Sequence, residues 1–368
     1  MYNFSAGPAH LPVEILYKAK EDMLNWHGCG MSVMEMPFSS DEYKEISERT
    51  SKDLRQLVNL PDDYHLLFLQ GGAYAHSAFV AMNLMGDHAA ADYVQTGHWS
   101  SRAISEAKRY GHVNIAASSK QSQFSHIPDY NSWKLDPEAA YCHITTNETA
   151  NGVQFHWLPE TSPVPLVADA TSDFLTRQLD ISKFGLIYAS AQKNIGPTGL
   201  TIVILHDNLL GRALDIVPSV FNYTLQANNN SRINTPPTYS IYIAGLVFAW
   251  LLEKGGLAAM EHDNIKKSSR LYDVIDAGSF FHCMVEPADR SLVNVCFELE
   301  NDSLVDNFLA EASSNGLINL KGHGARGGIR ASLYNAMPIE GVDALADFMQ
   351  TYAAQHSKGV NKAIYTSF

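Results

Sequence analysis

Lys193 lies in the run Tyr188-Ala-Ser-Ala-Gln-Lys-Asn-Ile-Gly-Pro197, after the apolar stretch Gly185-Leu-Ile-Tyr188 and before the turn signal Gly196-Pro197. A lysine held among apolar neighbours is desolvated, which disfavours the ammonium and favours a neutral, nucleophilic amine. Such an amine can form a Schiff base. A lysine can also run its stem over apolar surface and end in water, and the local pattern alone leans that way.

A carboxylate upstream shifts the balance. Val164-Pro-Leu-Val-Ala-Asp169 reads as a short buried strand ending in an acid. That is an unusual place for Asp unless something pairs with it. Pyridoxal phosphate chemistry needs such a partner, because an acid beside the pyridine nitrogen keeps the ring protonated and makes it a better electron sink. One strand ending in Asp169 and the next running into Lys193 would place both groups on the carboxyl edge of a parallel sheet. Open α/β sheets bind ligands at that edge.

Other residues could serve such a site. Gly71-Gly72 follows a strand-like stretch and precedes a helical one. Glycines there let backbone N–H groups approach a phosphate at a helix N-terminus, although they also make plain turns. Trp99, in Thr96-Gly-His-Trp99, could stack on a cofactor ring or fill a core. Thr149, in Thr146-Asn-Glu-Thr149, could donate to a ring oxygen or shape a turn. Asn234-Thr-Pro-Pro-Thr238 is a polar turn whose prolines keep the preceding backbone extended. Asn234 and Thr235 suit a phosphate, and they suit the capping of the next helix as well. Arg330, in Gly327-Gly-Ile-Arg-Ala-Ser332, sits within a strand and could grip a carboxylate with a bidentate fork.

The elements that must position these residues alternate. Pro12 opens a helix expected to run to about His27, and residues 40–60 form a second, stopped at Pro61. Strands at 65–69, 91–94, 113–116, 140–144, 166–168, 186–188 and 201–205 follow, with helices after Gly72 and from about Ser100 to Tyr110. This order predicts an α/β fold with a mostly parallel sheet and helices on both faces. Beyond the apolar helix at 241–252, helices at 258–275, 303–314 and 339–356 and strands at 291–297 and 328–332 predict a smaller α+β unit. The boundary falls at residue 255. The tail from Gly359 to Phe368 has no apolar period.

Bulk properties narrow the function. A chain of 368 residues has room for one large and one small domain. Its 46% apolar and 18% charged residues are ordinary for a globular enzyme. The net charge of −13, with basic residues scattered, argues against a nucleic-acid partner or an anionic membrane surface. The run at 241–252 is too short to span a bilayer, which takes about 20 residues. The four cysteines make no C-x-x-C pair, and no His or Cys spacing suggests a metal. Free thiols and an N-terminus without signal-peptide character point to a cytoplasmic setting.

The motifs then come together. Phe4-Ser-Ala-Gly-Pro8, Ser32-Val-Met-Glu35, Gly71-Gly72, Gly97-His-Trp99, Asn147-Glu-Thr149, Val167-Ala-Asp169, Ala191-Gln-Lys-Asn-Ile-Gly-Pro197, Asn234-Thr-Pro-Pro237, Lys321-Gly-His323 and Gly328-Ile-Arg-Ala-Ser-Leu-Tyr-Asn-Ala-Met337 occur in order from residue 1 to about 355. Together they resemble the phosphoserine aminotransferase family, within the class V aminotransferases. The resemblance implies a fold-type I pyridoxal phosphate enzyme: a large domain, 1–255, with a mostly parallel seven-stranded sheet, and a small C-terminal domain, 256–368, reached by segment 1–30. It implies a homodimer with active sites shared across the interface. Lys193 would carry the cofactor, Asp169 would face its nitrogen, Trp99 would stack on the ring, and Thr149 would lie near its phenolic oxygen. Gln192, Gly72 and the Ala73 backbone would hold the phosphate. Asn234 and Thr235 would reach the cofactor of the other subunit, and Arg330 would hold the substrate α-carboxylate.

The departures concern the substrate. The family carries His-Arg shortly after Val-Met-Glu, where phosphoserine's phosphate binds; here Phe38 and Ser39 stand there. It carries a second His-Arg after Lys-Gly; here that reads His323-Gly324, with Arg326 two residues on. Tyr74 and His76 are expected close to the cofactor phosphate. Charge-assisted hydrogen bonds are worth roughly 1.5–3 kcal/mol each. Losing three would cost several powers of ten in affinity. The favoured reading is therefore a transaminase acting on an unphosphorylated amino acid and 2-oxo acid, with Phe38 helping to form the pocket. The alternatives are phosphoserine:2-oxoglutarate transamination, with Arg326, His323 or His76 replacing the lost contacts, and a lyase or decarboxylase on the same scaffold.

Overall fold

The computed structural model describes residues 1–87 and 90–357; the tail from Gly359 lies outside the described residues. The chain opens with a short strand, β1 (Tyr2–Asn3), followed by α1 (Val13–Glu21) and α2 (Asp41–Leu57). Then come β2 (Tyr64–Leu69), α3 (Gly72–Leu84), β3 (Ala90–Gln95), α4 (His98–Ala107), β4 (His112–Ser118) and β5 (Cys142–Thr145). A small ribbon, β6 (Asn147–Glu148) and β7 (Val153–Gln154), precedes β8 (Leu166–Asp169), β9 (Leu186–Ser190) and β10 (Thr201–His206). Next are α5 (Tyr223–Asn228), α6 (Thr238–Glu253) and α7 (Gly256–Asp276). The C-terminal part holds β11 (Phe281–His282), β12 (Asn294–Leu299), α8 (Val305–Ser314), β13 (Leu317–Ile318), β14 (Ile329–Ser332) and α9 (Ile339–His356).

The main sheet has seven strands in the order β2-β10-β9-β8-β5-β3-β4. It is parallel except for β10, which runs antiparallel to both of its neighbours. The reason lies in the connection. Ser190 pairs with Thr201, so residues 191–200 must return the chain directly. A parallel partner would need a crossover of a dozen residues or more. That short return carries Lys193.

Three apolar clusters hold the elements. One packs α2 and α6 on one face of the sheet, with Tyr43, Leu54, Ile241 and Phe248 at its centre. A second fills the other face beneath α3 and α4, with Val80, Ala103 and Ile104. The third belongs to the C-terminal unit and takes in Phe4 from the N-terminus. There β1 pairs in parallel with β13.

The first helix ends at Glu21, short of the expected His27. The Asp22 carboxylate, at the helix end, accepts from Tyr242 on α6 at 2.6 Å. Trp26 then turns into the core through a 3-10 turn in which His27 (φ 47) and Gly28 (φ 82) take left-handed backbone. A tertiary anchor here overrides an amphipathic pattern that could have continued. Among the described residues no single helix is long and apolar enough to cross a membrane. The α6–α7 pair, which has the length, is bent by 84°.

Candidate active site

The site forms where β8 and β9 end. Asp169 closes β8 beside Tyr188 of β9. Its Oδ1 accepts from the Thr171 amide at 3.0 Å. Burial pushes its pKa up, and the Thr171 hydrogen bonds and the Lys193 charge pull back against that. Behind it, Asp173 is held by Thr146, Gln154 and Arg177.

Lys193 follows β9 on the short return to β10. Its Nζ donates to Thr149 Oγ1 and lies 5.3 Å from the centre of the Trp99 ring. Burial of the amine pushes its pKa down to about 8, with Arg330 adding to the fall and the Asp169 and Glu148 carboxylates opposing it. The desolvation inferred from its apolar flanks is therefore present in the fold. The N-terminal loop lies over its stem: a Cβ at Gly7 would come within 3.2 Å of Lys193 Cγ. Ala9 N–H donates to the Gln192 carbonyl at 2.9 Å.

Around the start of α3, Gly71 (φ 113) and Gly72 (φ 70) adopt backbone that favours glycine. No side chain caps this helix. Its first amides, at Gly72, Ala73 and Tyr74, are among those a helix cannot satisfy internally, and they carry the positive end of the dipole. Ser190 Oγ, within 3.7 Å of a Cβ built on Gly72, donates to Gln192 Oε1. This corner suits an anion.

Arg330 reaches the same space from β14, and its Nη1 donates to the Thr149 carbonyl at 3.2 Å. Its Nε is buried without a partner. His323 stands against Trp99 (ring centres 5.9 Å apart) and against His98 (4.5 Å). Burial pushes the pKa of both histidines down; His98 and the Arg330 and Lys193 charges lower that of His323 further.

Other expectations fail. His76 lies fully buried in the core: Nδ1 meets the Tyr223 hydroxyl at 3.0 Å and Nε2 the Gln70 carbonyl at 3.0 Å. Burial pushes its pKa down to about 4. With both ring nitrogens engaged it has none to offer a substrate. The Tyr74 side chain lies on the outer surface, accepting from Arg102 at 2.6 Å and donating to Glu106 at 3.2 Å. Arg326 lies with its guanidinium 3.6 Å from Glu298 and donates to the Gln123 carbonyl at 3.5 Å.

Phe38 packs against the core near the start of α2, and Ser39 is exposed. Asn234 and Thr235 are exposed, and Gln70 Nε2 donates to the Thr235 carbonyl at 3.2 Å. None of these four side chains has a described contact with Lys193.

Sequence reasoning missed Glu148, His98, Thr171 and Ser190. Glu148 stood inside the quoted Asn147-Glu-Thr149 motif. A carboxylate next to a candidate ligand in a buried ribbon was the available signal.

The chain is similar to known proteins along nearly its whole length. Residues 1–345 match the family described as Aminotransferase class-V. The chain is 53% identical to phosphoserine aminotransferase of Nitrosomonas europaea over 365 residues, covering 97% of this chain and 99% of that protein. Among solved structures, phosphoserine aminotransferase from Bacillus circulans subsp. alkalophilus superposes with a TM-score of 0.94 at 40% identity, covering 96% and 98% of the two chains. The pyridoxal phosphate-bound enzyme from Trichomonas vaginalis gives 0.92 at 38% identity, covering 95% and 99%.

Proposed function

Because the chain belongs to the phosphoserine aminotransferase family of class-V aminotransferases and is a pyridoxal phosphate-dependent transaminase, we propose that its pocket takes an amino acid and a 2-oxo acid without a phosphate. The observation that carries this reading is the placement of cations. Phe38, Ser39 and Gly324 occupy positions where the family sequence pattern has basic residues, and the nearby Arg326 is held by Glu298 and Gln123. His98 and His323 are biased towards neutral rings. A phosphate dianion would gain little from these groups.

Pyridoxal phosphate, when bound, supplies an electron sink for a carbanion formed beside its ring. Lys193 is the amine that would hold it, and the same amine would move the proton at the substrate Cα. Asp169 would pair with the cofactor's pyridine nitrogen, Trp99 would stack on its ring, and Thr149 would donate to its phenolic oxygen. The amides of Gly72, Ala73 and Tyr74, with Gln192, would hold its phosphate. Asn234 and Thr235 complete the phosphate site of a second copy of the chain. Arg330 grips the α-carboxylate, for which its unpartnered Nε leaves an edge of the fork free. His323, with Phe38 and Ser39, would line the side-chain pocket.

The homodimer is supported by apolar side chains left exposed near the N-terminus, among them Leu16, Tyr17, Leu24 and Met34. The division into 1–255 and 256–368 is supported by the separate apolar cluster of the C-terminal unit. Four cysteines left as thiols suit the cytoplasm.

The names of the relatives favour a second reading, transamination of phosphoserine itself. Titrating the holoenzyme with phosphoserine, glutamate and a panel of other amino acids, followed by the cofactor's absorption band, separates the two. The proposal expects conversion by an unphosphorylated amino acid and weak response to phosphoserine. Full conversion at low phosphoserine concentration would sink it.

A further inference from the structure

Glu148 is a buried carboxylate, 0% exposed, and the reaction as described gives it no task. It closes β6, directly before Thr149. Its Oε2 accepts from the Trp99 amide at 2.9 Å. Its Oε1 accepts from the Ser100 amide at 2.8 Å and from Ser100 Oγ at 2.7 Å. Trp99 and Ser100 open α4, so the acid caps that helix from a different element and sits at the positive end of its dipole. Burial pushes its pKa up; the Ser100 and Trp99 hydrogen bonds hold it down.

The fit is tight. A Cβ at Gly97 would lie 2.4 Å from Glu148 Cδ. The backbone of Gly97 is extended (φ 176), so any residue could adopt it. The space taken by the carboxylate, not the turn, calls for glycine there.

The neighbouring contacts show what this cap can control. Trp99 lies over the Lys193 amine, Thr149 Oγ1 accepts from that amine, and the Thr149 carbonyl accepts from Arg330. We propose that Glu148 is a positioning residue: it fixes the height and tilt of the Trp99 indole over Lys193, and so the seat of the cofactor ring, in register with Thr149 and Arg330.

Glu148→Gln nearly keeps the shape but turns one acceptor into a donor facing a donor. The experiment uses purified holoenzymes in a cycle with Trp99→Ala. Two quantities are read: the rate of cofactor loss on dilution, and the circular dichroism of the cofactor's visible band per bound cofactor. Glu148→Gln should speed cofactor loss by about tenfold and weaken the visible signal, as expected for one lost charge-assisted bond at the low end of its range. In the Trp99→Ala background the same substitution should change the rate by less than about twofold, because its route of action is gone. Equal effects in both backgrounds would overturn the proposal, pointing to a general structural or direct charge effect. So would an unchanged rate and spectrum in the single variant. If Glu148→Gln does not fold, Gly97→Ala displaces the carboxylate while keeping its charge, and the same cycle decides.

Discussion

The amine of Lys193 is buried among Trp99, Thr149 and Arg330, and that burial brings its pKa down to about 8. An ordinary lysine titrates near about 10.4. In the cofactor-free chain, labelling of Lys193 by an amine-selective reagent should therefore rise as pH increases through 8, well before the surface lysines respond. Peptide mapping across a pH series reads this directly, and a midpoint shared with exposed lysines would show that the enclosure has been misjudged. At this scale the chemistry became legible only when Lys193 was read together with Asp169, because the local pattern alone leaned towards a lysine that ends in water. The identity of its neighbours was less so. Arg326 and His76 looked available by residue type alone, and both are engaged elsewhere, with Glu298 and with Tyr223.

At the scale of elements, the start of α3 is the proposed phosphate cradle. Gly72 has a φ of 70, and a Cβ there would meet only Ser190 Oγ, at 3.7 Å. Space is therefore available, and the penalty for Ala is backbone strain of about 1–2 kcal/mol. Gly72→Ala should lower the denaturation midpoint and speed cofactor release, whereas Gly278→Ala, which meets nothing within 4 Å, should do neither. Denaturant melts and cofactor-release rates compare the two; identical behaviour would remove the case for the cradle. The glycine pair was visible in sequence, but strand, Gly-Gly and helix in succession fit a plain turn as well as a phosphate cradle. The antiparallel β10 was not. Its direction follows from the length of the return at 191–200, which matters only once Ser190 is known to pair with Thr201.

At the scale of the whole molecule, the proposed sharing of sites between two copies has a clean test. Lys193→Ala and Asn234→Ala chains should each be nearly inactive. Mixed and refolded together, they should regain activity, because one site of a mixed dimer combines an intact Lys193 with an intact Asn234. No recovery would mean that Asn234 serves the Lys193 of its own chain, to which the Gln70–Thr235 bond already ties this turn. The sequence by itself determined the pieces whose meaning is local or ordered along the chain. These are the apolar strands that end in Asp169 and lead to Lys193, the Gly71-Gly72 turn, and the order of motifs that marks the family. Only the tertiary structure decided which side chains converge. Glu148, distant in sequence from Trp99, caps its helix; Arg326, near Arg330, lies beside Glu298; and Tyr242 donates to Asp22 at the end of α1. Periodicity and spacing report the face of an element. The partner of a buried polar group is chosen by whichever element packs against it, and that is settled when the chain folds.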